Sequence, residues 1–347
     1  MRIGNRIIST EEKPFIIAEA GINHNGDLET AFRMIETAGA IGVDAVKFQT
    51  FKAKEFNIDD NATYTYYSQG KEITESMLQM FRRYEFSIDE WKQIKRKCDD
   101  VGVIFLSTPQ NYSDLELLLE LGLPAIKVGS DDFTNIPLLE KYAAKKLPMI
   151  LSCGMADLGE VYISLEAVAA FERDDISLLL CTSEYPTPYE DVNLSKLKTL
   201  HNVFPKLTLG FSDHTQDCLA AGIAVSLGAC IFEKHFTLHR EMAGPDHWFS
   251  ENPDTLKKWY NTIIDAWKIL GSPIVRPTER EKDMRLLARR SIYVADDIDE
   301  GEIIRENKLG MFRPGDGIMP VDLKKIIGRT SRRKLYRGHK LDWSDLN

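Results

Sequence analysis

Short apolar runs rich in β-branched residues recur along the first 240 residues, and each gives way to a stretch whose apolar residues fall three and four apart. The runs are FIIAEA (15–20), AVKFQT (45–50), VIFLSTP (103–109), AIKVGS (125–130), MILSCG (149–154), SLLLCTSEYP (177–186), LTLGFSDH (207–214) and CIFEKHFT (230–237). Their length and composition predict strands, whereas LETAFRMIETAGAI, IPLLEKYAAKKL and CLAAGIAVSLGA predict amphipathic helices between them. Strands alternating with helices predict a parallel sheet, because parallel neighbours need a long crossover. Eight such units in roughly 250 residues predict the α/β class and, within it, a (β/α)8 TIM barrel.

Each predicted strand turns polar at its C-terminal end. The series runs Glu19, Lys47 with Gln49, Thr108, Lys127 with Ser130, Ser152, Ser183 with Tyr185, Asp213 with His214, and Glu233 with His235. Polar residues serving solubility alone would scatter along the strands. Gathered at one end, they predict a single cup at the face where such barrels carry their chemistry. That pattern predicts an enzyme and speaks against a non-catalytic binding protein.

The pattern changes after the last helical stretch, DTLKKWYNTIIDAWKILG (254–271). SPIVRPTEREKDMRLLARR carries two prolines and many charges and reads as a linker, and the remainder has short apolar pieces between Gly, Pro and Asp turns. The predicted organisation is a barrel over 1–271, a linker over 272–285 and a small, mostly β module over 286–347. A module of about 60 residues is marginal alone, which predicts that it docks on another surface.

Composition narrows the class further. With 347 residues, 43% hydrophobic and 10% aromatic, the chain suits one large domain plus a small one. A net charge of -9 argues against nucleic acid as a partner, since phosphate neutralisation needs a basic face. Five scattered cysteines without a C-x-x-C fit a reducing, cytoplasmic setting. The N-terminus lacks the pattern of a signal peptide, and no apolar run approaches the ~18 residues of a membrane span.

The cup's residue types suggest chemistry. His214 and His235, at the ends of neighbouring strands, are candidate ligands for a divalent transition metal, with Glu19 available across the barrel. Such a metal would keep open positions and polarise a carbonyl. Lys47 and Lys127, with Ser130, Ser152 and Ser183, read as a cradle for a phosphate or carboxylate. A Schiff-base nucleophile at either lysine is the competing reading, and borohydride trapping distinguishes the two. In EKHFTLHREMAGPDHWFS (233–250), His239 and Glu241 read as loop surface, and His247 is left open.

With those residues in place, the chain resembles the sialic acid synthase family of N-acetylneuraminate synthases and their legionaminate and pseudaminate relatives. IIAEAGINHNGD, VKFQT, STP, IKVGS, LSCGM, CTSEYPTPYEDVNL, GFSDHT, EKHFT and GPDH carry the resemblance over nearly the whole chain. The tail, with RPGDGI, resembles the antifreeze-like SAF domain, a β-clip module. The resemblance implies condensation of phosphoenolpyruvate with an N-acylated mannosamine-type sugar to give a nine-carbon nonulosonic acid and phosphate. A legionaminate- or pseudaminate-type reaction on a 2,4-diacetamido-2,4,6-trideoxyhexose is the alternative, because residues 57–77 depart from the N-acetylmannosamine-type pattern.

Site residues follow from the same resemblance. His214 and His235 match the ligands of a divalent metal, Mn²⁺ first and Mg²⁺ or Co²⁺ as alternatives. Catalytic roles fall to Glu19, Lys47, Lys127 and Asp132, the last standing where most relatives carry glutamate. Lys47, Thr108, Lys127, Ser130, Ser152, Ser183 and Ser212 match the phosphoenolpyruvate pocket. Gln49, Gln69, Tyr185 and Asp246 fall beside the sugar. Arg313 would reach that sugar from a capping module, in a domain-swapped homodimer. The basic run KKIIGRTSRRKLYRGHK (324–340) reads as a solvated face, or more sharply as a rim guiding an anionic substrate.

Overall fold

A computed structural model describes residues 1–56, 59 and 61–347, apart from the side chain of Phe56. Asn57, Ile58 and Asp60, which open the stretch expected to select the sugar, lie outside the described residues. The chain divides into two compact units, Met1–Gly271 and Ser272–Asn347.

The first unit contains eight parallel strands, each followed by a helix. The strands are β1 (Phe15–Gly21), β2 (Ala45–Thr50), β3 (Ile104–Pro109), β4 (Ile126–Val128), β5 (Met149–Ser152), β6 (Ile176–Cys181), β7 (Thr208–Asp213) and β8 (Ile231–His235). The principal helices are α1 (Leu28–Ile41), α2 (Ile88–Val101), α3 (Tyr112–Glu120), α4 (Ile136–Ala143), α5 (Leu158–Ala167), α6 (Lys196–Val203), α7 (Leu219–Ser226) and α8 (Pro253–Leu270). The ladder runs β3-β2-β1-β8-β7-β6-β5-β4, and β3 lies alongside β4, so the sheet nearly closes into a barrel.

Helix α1 occupies the residues its spacing predicts. Asp27 caps it, accepting from the Thr30 N–H at 2.8 Å, and Gly42 ends it at φ 100°. Its buried Ala31, Met34, Ile35 and Ala38 pack into the layer between strands and helices. A second apolar cluster fills the barrel floor: Phe15, Ile17, Ala45, Leu106, Ala125, Ile150, Leu179 and Ile231, closed from below by Ile3 and Ile8.

A hairpin, Thr63–Ser68 paired with Lys71–Ser76, interrupts the crossover between β2 and β3. Gln69 and Gly70 turn it with φ of 51° and 77°. The strands end earlier than expected, at Val128, Cys181 and Asp213, so Ser130, Ser183, Tyr185 and His214 sit on the loops just beyond.

The second unit differs from the expected linker plus module. Residues 279–285 of the supposed linker and 286–288 of the expected module form one helix, α9 (Glu279–Ala288). Its start is a reciprocal cap: Thr278 Oγ1 accepts from the Glu281 N–H, and the Glu281 carboxylate accepts from the Thr278 N–H at 2.7 Å. Pro273 and Pro277 precede that cap and leave the helix intact. Strands β9 (Ser291–Val294) and β10 (Leu309–Phe312) then pair antiparallel over a small core including Ile292, Ile298, Ile304 and Leu335. Arg313 lies exposed at the end of β10. Among the described residues no helix is long and apolar enough to cross a membrane.

Candidate active site at the barrel mouth

Strand periodicity builds the site. In a strand, residues two apart share a face, and the residue two steps beyond each apolar floor residue enters the cup above it. Ile17 leads to Glu19, Ala45 to Lys47, Leu106 to Thr108, Ala125 to Lys127, Ile150 to Ser152, Leu179 to Cys181, and Ile231 to Glu233. Gly210 leads to Ser212 in the same way. One turn of the barrel is dry, and the next carries the functional groups.

The cup encloses about 450 Å³ and gathers two lysines and two glutamates on its floor. Lys47 Nζ lies 2.7 Å from Glu19 Oε2 and 3.9 Å from Glu233 Oε2, and donates to Thr108 Oγ1 at 3.1 Å. Lys127 Nζ donates to Ser152 Oγ at 2.9 Å and to the Val128 carbonyl at 3.0 Å, with Glu233 Oε1 at 3.7 Å. All four charged residues are buried.

Burial sets the protonation states here. It pushes the Glu19 carboxyl up to about 7 against the pull of Lys47. Burial also opposes ionisation of Glu233, but Lys127 and Lys47 together outweigh it and hold that carboxylate below its ordinary range. For Lys47 the desolvation is overcome by Glu19 and Glu233, and its ammonium is strengthened. Lys127 is weakened, burial being the larger effect. Glu233 therefore serves as the shared counter-ion, and Glu19 as the acid that changes state near neutrality.

The remaining cradle residues stand around this floor. Ser130 Oγ accepts from the Gly154 N–H at 3.0 Å, and Ser212 Oγ donates to Glu233 Oε1 at 3.3 Å. Ser183 Oγ is buried and, among the described residues, lacks a hydrogen-bond partner. Gly154 is required between them: a Cβ there would meet Ser183 Oγ at 2.4 Å and Ser130 Oγ at 2.6 Å.

His214 and His235 face one another with ring centroids 5.5 Å apart. His214 Nδ1 is engaged by the Thr182 carbonyl at 2.7 Å, leaving Nε2 3.4 Å from Ser212 Oγ. His235 Nδ1 is buried without a hydrogen-bond partner among the described residues, 4.0 Å from Asp246 Oδ2. Burial first, then the neighbouring His214 and lysines, hold His235 neutral, the state a metal ligand needs. Among the described residues no group of three or more His, Cys, Asp or Glu is placed to hold a metal. For His214 burial is outweighed by Cys181 and the Thr182 carbonyl, which raise its imidazole, so the site brings two imidazoles together as candidate donors, His235 being the one held neutral.

Above the cup a second compartment of about 510 Å³ opens between the hairpin and the loop after β8. Gln49, Tyr64, Phe81, Ser183, Tyr185 and His235 line both spaces. The upper walls are largely aromatic, with Tyr66, Tyr67, Phe81, Trp248 and Phe249, and carry the carboxylates Glu184 and Asp246. Burial pushes the Asp246 carboxyl up to about 6.

Two expected residues stand elsewhere. Gln69 occupies the hairpin tip, where the left-handed turn aims its amide at the Glu241 carbonyl (2.9 Å) and into a separate cavity with Asn25 and Tyr84. Asp132 accepts from Asn135 Nδ2 at 3.0 Å, while its neighbour Asp131 lines the cup. Arg313 belongs to the second unit. Asp131 and Cys181 enter the cup although the sequence did not point to them, and Glu233, expected at its strand end but given no role there, enters it too. For Glu233 the signal was present, since it shares a strand face with His235. A larger cavity of about 620 Å³ adjoins across Ser183, but it mixes apolar side chains with Lys196, Asp157 and Glu184. The converging lysines and histidines belong to the smaller cup.

Comparison with known proteins gives a consistent picture. The NeuB family matches residues 34–275 and the SAF domain residues 289–347. The chain is 38% identical over 336 residues to N,N'-diacetyllegionaminic acid synthase of Legionella pneumophila, spanning 96% of this chain and 94% of that protein. It is 32% identical to N-acetylneuraminate-9-phosphate synthase of Homo sapiens, over 93% of this chain and 90% of the other. The crystal structure of N-acetylneuraminic acid (sialic acid) synthetase from Leptospira borgpetersenii in complex with citrate superposes with a TM-score of 0.73 at 32% identity. That match spans 82% of this chain and 94% of the other.

Proposed function

The chain belongs to the NeuB family and ends in a SAF domain, and from that premise we propose that it condenses phosphoenolpyruvate with the open-chain aldehyde of an N-acylated mannosamine-type sugar. The products are a nine-carbon nonulosonic acid and phosphate. One observation carries the reading: Lys47 and Lys127, both buried, converge with Thr108, Ser152 and Ser183 on the floor of a blind cup. A dianionic phosphate and a carboxylate are the ligands that such a floor compensates.

Held there, phosphoenolpyruvate presents C3 to an aldehyde in the compartment above. The C3 electron pair forms the new carbon–carbon bond, and the aldehyde oxygen takes up a proton. Water adds to C2 and gives up a proton, and the tetrahedral centre collapses to the ketone with cleavage of the C2–O bond and departure of phosphate. Glu19, with its carboxyl at about 7 and 2.7 Å from Lys47, is suited to holding or moving a proton at neutral pH. Lys47 and Lys127 offset the negative charge of the bound and departing phosphate. His214 and His235 would hold a divalent metal, Mn²⁺ first, which supplies Lewis acidity at the aldehyde oxygen when bound.

The aromatic upper compartment favours one acceptor within this class. Tyr66, Tyr67, Phe81, Trp248 and Phe249 offer apolar surface suited to the methyl groups of a 2,4-diacetamido-2,4,6-trideoxyhexose. Glu184 and Asp246 disfavour an acceptor that carries its own phosphate. The SAF domain reads as the cap of a partner barrel in a domain-swapped homodimer, bringing Arg313 to the acceptor.

The test is phosphate release from phosphoenolpyruvate with Mn²⁺ present, comparing N-acetylmannosamine with 2,4-diacetamido-2,4,6-trideoxymannose. Release with the second in preference supports the legionaminate-type reading. Preference for the first restores the N-acetylneuraminate type. Silence with both, in folded and metal-loaded protein, overturns the condensation.

A further inference from the structure

The motif GINHNGD (21–27) follows β1 at the barrel mouth, yet its Asn23 and Asn25, like His247, are absent from the lining of both cup and upper compartment. Their hydrogen bonds run instead to the loop after β8, the segment that carries Asp246. Asn23, buried, donates from Nδ2 to the Phe236 carbonyl at 2.9 Å and to Ser250 Oγ at 3.0 Å. Ser250 Oγ in turn donates to the carbonyl of Asp246 itself. One side chain thus ties the start and the end of the loop to the loop after β1.

Asn25 and His247 make the second tie. His247 is fully buried, with both ring nitrogens engaged: Nδ1 lies 2.7 Å from Thr237 Oγ1, and Nε2 lies 3.1 Å from Asn25 Oδ1. A neutral imidazole whose Nε2–H donates to Asn25 accepts at Nδ1 from the Thr237 hydroxyl, whose proton the His239 carbonyl at 3.1 Å also attracts. Asn25 has φ 55°, a conformation that asparagine tolerates better than most residues. Gly244 makes room for this pair, since a Cβ there would meet His247 Cδ2 at 2.8 Å and Asn25 Oδ1 at 3.0 Å.

The far side of the loop is anchored independently. Arg240 donates to the Ser250 carbonyl and to Glu251 Oε2, both at 2.7 Å. Glu251 Oε1 lies 3.7 Å from buried Lys234, which also pairs with Asp213 at 3.0 Å. The loop is therefore braced on two flanks, and the outcome of the bracing is that Asp246 Oδ2 stands 4.0 Å from His235 Nδ1.

We infer that Asn23, Asn25 and His247 are positioning residues that fix Asp246 beside His235 for the acceptor. Buried partners of this kind orient the groups that touch substrate, and their loss costs affinity without changing the groups themselves. His247 thereby receives a role distinct from metal ligation. The inference rests on the condensation reading, so wild-type phosphate release with an acceptor sugar is measured first. Wild-type silence counts against the reaction, whereas the variants below count for or against the positioning.

The test compares Asn25→Gly, which keeps the positive φ and removes the amide, with Asn25→Asp, which keeps an acceptor oxygen for His247. The expected result for Asn25→Gly is an acceptor KM raised about tenfold with the phosphoenolpyruvate KM within about twofold, and recovery of most of the acceptor KM in Asn25→Asp. Melting temperatures are recorded for both. An unchanged acceptor KM in Asn25→Gly overturns the inference. So does a parallel rise of both KM values with a lowered melting temperature, or a failure of Asn25→Asp to improve on Asn25→Gly.

Discussion

Lys47 Nζ stands 2.7 Å from Glu19 Oε2, and both side chains are buried at the ends of adjacent parallel strands. Removing one member of a buried pair commonly costs about 3–5 kcal/mol. Here the surviving acid can neutralise itself, because its carboxyl already sits at about 7. In Lys47→Met the stability loss is therefore expected to be greater at pH 8 than at pH 6, read from urea midpoints. Its kcat/KM for phosphoenolpyruvate is expected to fall by on the order of 100-fold or more. Unchanged kinetics would remove Lys47 from the cradle.

The same carboxyl predicts a pH dependence of stability. Glu19 is raised from an ordinary 4.5 to about 7, so between those values the folded protein holds a proton that the unfolded chain has lost. Stability from this group is complete below about 4.5 and falls as pH rises through about 7, by roughly 3 kcal/mol in all. Glu19→Gln should erase that contribution. The difference between the two unfolding free energies, followed from pH 4.5 to 8, tests it, and a flat difference refutes the raised carboxyl.

His235→Ala tests the metal assignment. Chelation is expected to abolish phosphate release by the wild type, and Mn²⁺ to restore it. The variant should stay inactive at any metal concentration that rescues the wild type. Full activity of the chelated wild type, or of the variant, would exclude the two-imidazole site.

Gly154→Ala tests the cradle from a backbone position. Its Cβ would fall 2.4 Å from Ser183 Oγ and 2.6 Å from Ser130 Oγ, forcing the two hydroxyls apart. Overpacking of this kind costs about 1–3 kcal/mol, and rotation of the small hydroxyls can absorb part of it. The fold should survive while the phosphoenolpyruvate KM rises about tenfold. Unchanged binding in steady-state kinetics would place the phosphate away from Ser130 and Ser183.

Periodicity made much of the barrel legible. Helix α1 occupies 28–41 because its apolar spacing, its Asp27 cap and its Gly42 stop all agree. The cup's floor was equally readable, since Glu19, Lys47, Thr108, Lys127 and Ser152 follow apolar residues at strand spacing. Long-range geometry was not readable. Gln69 is polar and near in sequence, but the turn that points it at Glu241 depends on a hairpin whose Ser-Gln-Gly-Lys corner carries no strong hairpin signal. Asp131 and Asp132 are adjacent in the chain, and only the path of the loop after β4 decides which one enters the cup. The role of His247 was left open because its partners, Asn25 and Thr237, lie 222 and 10 residues away.

The apolar plug of Ile3, Ile8, Phe15 and Leu106 closes the barrel from below. With the floor sealed, the lysine cradle is reached from the mouth of the barrel, and it lies deeper than the aromatic compartment. The deeper guest must enter before the shallower one covers it. On the proposed condensation, an ordered kinetic sequence is expected, phosphoenolpyruvate preceding the sugar, and a sugar that arrives early is expected to inhibit competitively with phosphoenolpyruvate.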